Sequence, residues 1–209
     1  MIRLRTLIGD QRGASAAEYA LVLPLLLIVL FGTIDVGRYA WSLNQAQKAT
    51  QIGARRAVAT DAVATGLQPI SQGGYDFAVT GLIPQGTIVP QANFPTVTCV
   101  SNGTTASCAC ASSCSFGTTA SNSAFTGLTT RMAKIYPGLT ANNVVVTYSW
   151  SGLGFSGDPN GPQVAPLTTV SLRNLNFAPF SSFIFGGQVS LPAFAYSLPM
   201  EDGSGTSSN

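Results

Sequence analysis

Arg12-Gly13-Ala14-Ser15-Ala16-Ala17-Glu18-Tyr19 opens directly into an apolar run, 20–33, and the reading of this stretch decides the fold. As a helix, residues 14–34 extend about 31 Å, the hydrocarbon thickness of a bilayer. Arg3, Arg5 and Arg12 lie in front of the run, and Glu18 is its one carboxylate before Asp35. A carboxylate at the edge of such a segment costs a few kcal/mol to insert, so it is expected to have a partner or a role. Pro24 removes one helical hydrogen bond, that to the carbonyl of Ala20, and is expected to kink the helix.

Past the apolar run, Val36, Tyr39/Ala40, Leu43, Ala46, Thr50, Ile52/Gly53 and Ala57 continue a three-to-four spacing, with polar residues on the other face. The expectation is one helix from about 14 to 59, the first half in lipid and the second half amphipathic. A stripe of this kind needs a globular partner beyond the membrane.

Only 9% of the 209 residues are charged, and the net charge is +2, against roughly a quarter charged in an ordinary soluble domain. The three N-terminal arginines form a basic flank that the positive-inside rule assigns to the cytoplasm, which sends the rest of the chain across the membrane. From Asp61 onward the balance is slightly acidic, which excludes a nucleic-acid partner, since that requires a concentrated basic face. The chain has no histidine. That removes the commonest general base and metal ligand, and with them a Ser-His-Asp triad. No cofactor motif is found, the paired glycines at 73–74 and 186–187 being followed by no Lys-Ser/Thr. No enzymatic role is expected.

Cys99, Cys108, Cys110 and Cys114 fall on the exported side. Their spacing lacks the paired C-x2-C knuckles of structural zinc, so two disulfides are expected, with three pairings open. Short strands are expected at 87–89 and 96–100, and a disulfide-braced, Ser/Thr-rich loop over 101–123. Phe125, Leu128, Met132 and Ile135/Tyr136 mark an amphipathic helix that stops at Pro137-Gly138. Strands follow at 143–150, 167–175 and 188–198, the first two joined by a long Gly/Pro-rich loop, 151–166. Asp35 and Arg38 read as an i,i+3 surface pair, Tyr39 and Trp41 as an interfacial aromatic belt, and Arg55-Arg56 as a solvated face. The fold class is α+β: a long N-terminal helix packed on a small antiparallel sheet.

Gly13, followed at the fifth position by Glu18 and then Tyr19, resembles the processing site of type IV prepilins in the Glu-Tyr form of tight-adherence (Tad/Flp) pilins. The wider run from Arg12 through Pro24 to Leu27, with Gly32-Thr33-Ile34-Asp35-Val36-Gly37-Arg38 and Gly53-Ala54-Arg55, resembles TadE-like proteins. Asp35 stands where relatives commonly carry Glu. The resemblance implies a pilin-like fold, with a basic prepilin leader at 1–13, a transmembrane helix at 14–34, its amphipathic continuation at 35–60, an exported domain at 61–201 and a disordered tail at 202–209. It further implies cleavage between Gly13 and Ala14 by a prepilin peptidase, with Glu18 and Tyr19 serving assembly and register. The implied partners are other pilins or pseudopilins, an inner-membrane assembly platform and the lipid bilayer. The implied function is that of a minor pilin or pseudopilin. The alternatives are an adhesin using the cysteine loop, or a plain membrane-anchored periplasmic domain.

Overall fold

Helical backbone extends from Arg12 to Ala59 as α1, 48 residues long with Pro24, which has no N–H to donate, inside it. The computed structural model describes residues 12–159, 161–200 and 203–206. After α1 come β1 (Val97–Ser101), β2 (Ala106–Cys110), α2 (Asn122–Ala133), β3 (Val144–Ser149), β4 (Leu167–Leu172), β5 (Asn176–Phe177), α3 (Ser182–Phe185), β6 (Val189–Ser190) and β7 (Ala195–Pro199). The long helix and the small antiparallel sheet give the expected α+β class. The basic arm with Arg3 and Arg5 lies outside the described residues.

The chain divides into two compact units, one of Met1–Ser42 with Asn176–Val189, the other of Leu43–Leu175 with Ser190–Asn209. These boundaries differ from a simple split at residue 61, because α1 contributes to both units and 176–189 leaves the globular part to join the first half of the helix.

In the larger unit five antiparallel strands lie in the order β2-β1-β3-β4-β7. Alternation builds the inner face: Val97 and Cys99, Val144, Val146 and Tyr148, and Thr168, Val170 and Leu172 are all buried. Register aligns them in rows, Cys99 opposite Val146 and Val146 opposite Val170, Val97 opposite Tyr148 and Tyr148 opposite Thr168. The Tyr148 hydroxyl accepts the Val63 N–H at 2.9 Å. Burial raises the pKa of this phenol well above its ordinary value, an effect offset in part by that hydrogen bond. The Thr168 hydroxyl is buried and makes no hydrogen bond among the described residues.

Here the second half of α1 packs on the sheet and α2 through Ala46, Ala49, Thr50, Gly53, Ala54 and Ala57, a stripe of small residues that lets backbones come close. A Cβ on Gly53 would lie 2.6 Å from the Met132 sulfur of α2, so any larger residue here forces the buried Met132 side chain to move. The stripe starts later than the periodicity suggested, since Val36 is 70% exposed. α2 begins where the Ser121 side chain accepts the Ala124 N–H and buries Phe125, Leu128 and Met132.

Four expectations are corrected. Residues 87–89 form no strand: Pro84 and Pro90 bracket them, their bonds go to Ser156, which exchanges with Gly86 and Thr87, and the Val89 carbonyl accepts the Trp150 indole N–H at 2.8 Å. The loop 101–123 contains β2, paired residue for residue with β1. The strand expected over 188–198 breaks into β6 and β7 around Pro192, which has no N–H to give a ladder. Within the tail expected to be disordered, Gly205 exchanges hydrogen bonds with Asp61, and the Thr206 carbonyl accepts from Arg56 at 2.8 Å. Asp202 and residues 207–209 lie outside the described residues.

Candidate functional site

The exposed surface of α1 is where chemistry concentrates. Leu21 is 79% exposed and Leu25 65%, and Val22, Leu26, Ile28, Val29 and Leu30 are exposed as well. A contiguous apolar surface of this extent marks a partner or a membrane. Among the described residues this is the one helix long and apolar enough to cross a membrane. Tyr19 is 65% exposed. Glu18 is exposed too, and no hydrogen bond or ion pair engages it among the described residues.

Glycine costs about 1 kcal/mol relative to alanine inside a helix, so each helical glycine calls for a reason. For Gly53 the reason is Met132. A Cβ on Gly13, Gly32 or Gly37 would meet nothing within 4 Å. Among the described residues no contact requires these three. Ala14 is helical in backbone, and its side chain is not described.

At the end of the apolar run the sequence reading missed a built contact. Asp35 and Arg38 do pair, at 3.3 Å, but Asp35 is 7% exposed and is more than a surface partner. Its Oδ1 accepts the Phe180 N–H at 2.6 Å and its Oδ2 the Ser181 N–H at 2.8 Å. The Arg38 guanidinium lies over the Phe180 ring at 4.0 Å and the Phe177 ring at 5.2 Å. Tyr39 packs edge-on against Phe177, so of the expected aromatic belt only Trp41, 66% exposed, stands free. The donors to Asp35 are backbone groups 145 and 146 positions away. The one sequence signal was a carboxylate at the end of an apolar run.

In the larger unit the four cysteines form two disulfides, Cys99–Cys108 and Cys110–Cys114. Cys99 and Cys108 face each other directly across β1 and β2, and Cys110–Cys114 closes the turn after β2. All four thiols are used, which leaves no thiolate for a metal. A shallow cavity of about 130 Å³ is lined by Arg56, Thr60, Asp61, Ser121 and Thr206, where Arg56 and Asp61 already hold the tail segment.

Among the described residues the chain combines a single membrane-length apolar helix with an antiparallel sheet that carries a disulfide-braced hairpin. Residues 13–55 match the model of the family described as TadE-like protein. The match starts at Gly13 and covers nearly all of α1, so it concerns the helix and not the sheet. Comparison with curated proteins and with solved structures gave no match.

Proposed function

We propose that this chain is a structural or assembly component of a tight-adherence (Tad/Flp) type IV-like pilus, a minor pilin or pseudopilin, with no catalytic role of its own. The observation that carries this reading is a segment matching TadE-like proteins in which Glu18 is exposed and three glycines, Gly13, Gly32 and Gly37, meet no internal contact among the described residues. Such residues are explained by events outside the subunit.

Two events suffice. A prepilin peptidase cleaves between Gly13 and Ala14 on the cytoplasmic side, where a residue without a side chain leaves the peptide bond open to the enzyme. The new Ala14 ammonium then lies about 6 Å along the axis from Glu18, within reach in the same chain or a neighbouring subunit. In the low dielectric among packed helices such a pair fixes axial register, since an unpaired carboxylate there is strongly disfavoured. Residues 14–34 hold the subunit in the inner membrane with its C-terminal part exported, and later provide the packing surface for other pilins.

Glu18→Ala tests the register role. Membrane insertion is expected to survive, while co-purification of the subunit with pili or with the assembly platform falls. Unchanged co-purification would count against it.

A further inference from the structure

Around Asp35 the smaller unit brings together two things far apart in sequence, the end of the apolar run and a segment with four phenylalanines, Phe177, Phe180, Phe183 and Phe185. Between 174 and 200 there is no charged residue. Phe183 is 96% exposed and Phe180 56%. Exposed phenylalanines on a short turn lose free energy in water and gain it at a lipid boundary.

The height of this turn is set by α1. Side chains on a helix lean toward its N-terminus, so the Asp35 carboxylate, and with it the bonded N–H groups of Phe180 and Ser181, lies toward the apolar run. Along the same face, Gly32, Phe31 and Leu27 are half-buried while Leu25, Leu26 and Ile28 are exposed. The turn is therefore held at the end of the apolar run, at Asp35.

Its backbone is prepared for a low dielectric. Asp35 satisfies Phe180 and Ser181, Ser182 donates to the Pro179 carbonyl, Phe183 to Phe180, and Gly186 to Ser182. Unpaired N–H groups would bar such a turn from the boundary.

We propose that the 179–187 turn is a second membrane contact, with Phe180 and Phe183 seated among the lipids of the outer-facing boundary at a depth fixed by Asp35. This rests on the reading of 14–34 as a membrane span. The occupant is lipid because Asp35 ties the turn to the end of that span, its phenylalanines are exposed, and the turn itself offers no charge to a protein partner.

The test places the photoreactive residue p-benzoylphenylalanine at position 183, 26 or 79 of the full chain. Each form is irradiated in nanodiscs of phosphatidylethanolamine and phosphatidylglycerol. Phe183 is almost wholly exposed, so its replacement leaves the fold intact, and Val79, 75% exposed, is the water-side control. Phospholipid adducts are expected by mass spectrometry at 183 and 26, and none at 79. An adduct at 26 with none at 183 overturns the proposal and leaves the membrane span standing. Absence at both 26 and 183 overturns the span as well. Cross-linking of 183 to a second copy instead of lipid overturns it in favour of a subunit contact.

Discussion

The Asp35 carboxylate accepts the backbone N–H of Phe180 at 2.6 Å, tying the end of the apolar run to a turn 145 residues later. Both residues belong to the smaller unit, and the same carboxylate also accepts from the Ser181 N–H and from Arg38.

Asp35→Ala removes the acceptor for two amides at once. Charge-assisted hydrogen bonds of this type contribute about 1.5–3 kcal/mol, so exchange of the Phe180 and Ser181 amides is expected to accelerate by about ten- to a hundredfold. Hydrogen exchange read by mass spectrometry on the detergent-solubilised chain measures it. Val36→Ala, at an exposed neighbour, is expected to leave those amides unchanged.

The two disulfides differ in accessibility. Cys99 and Cys108 are buried within the paired strands, while Cys110 and Cys114 are half-exposed. Mild reductant followed by alkylation is expected to label Cys110 and Cys114 first. Loop closure over nine positions against four also makes the first bridge the more stabilising, about 2.7 against about 2 kcal/mol on chain-entropy grounds. Urea unfolding of Cys99→Ala/Cys108→Ala beside Cys110→Ala/Cys114→Ala compares them. Equal labelling rates would contradict the assignment of Cys99–Cys108 to the core.

Asp76 ties two loops together. Its Oδ1 accepts from the Gln163 side-chain amide at 2.9 Å and from the Ala78 and Val79 N–H groups, while Gln163 Oε1 accepts the Phe77 N–H. The Gln163 bond first, and the two backbone bonds with it, hold the Asp76 carboxyl below its ordinary 3.8 against the opposing effect of burial. A lowered pKa stabilises the fold above the unfolded value, and that contribution is lost as pH falls through the folded one. Wild-type thermal stability is therefore expected to drop as pH falls below 3.8, with a shallower drop in Asp76→Asn.

Two neighbours in one row of the sheet give opposite expectations. Thr168 is fully buried with an unpartnered hydroxyl, so Thr168→Val keeps the shape, removes the desolvation cost and is expected to stabilise by about 1 kcal/mol. Tyr148→Phe leaves the Val63 N–H without its acceptor and is expected to destabilise by about 1–3 kcal/mol. Denaturant melts of both variants decide it.

Much of this fold was legible in the residues. Three-to-four spacing located the buried stripe from Ala46 to Ala57, and Val144, Val146 and Tyr148 announced β3 by strict alternation. β2 was not legible from its own side chains, because Ala106-Ser107-Cys108-Ala109-Cys110 has little apolar bulk. Pairing with β1 makes it a strand. The signal was the turn before it, Asn102-Gly103, where Gly103 takes a positive φ of 104° and Asn102 Oδ1 accepts from the Thr104 and Thr105 N–H groups. At the helix, Gly13, Glu18 and Tyr19 stood out through their resemblance to a prepilin processing site, and the structure adds that Gly13 has no contact among the described residues that a Cβ would meet. The grip of Asp35 on Phe180 and Ser181 was hidden because its donors are backbone groups, which every residue but proline carries.

The N-terminal mass of the membrane-extracted protein, expressed in a host that processes prepilins, bears on the whole functional reading. A chain beginning at Ala14 is expected. An intact N-terminus at Met1, in cells that cleave their other prepilins, would contradict it.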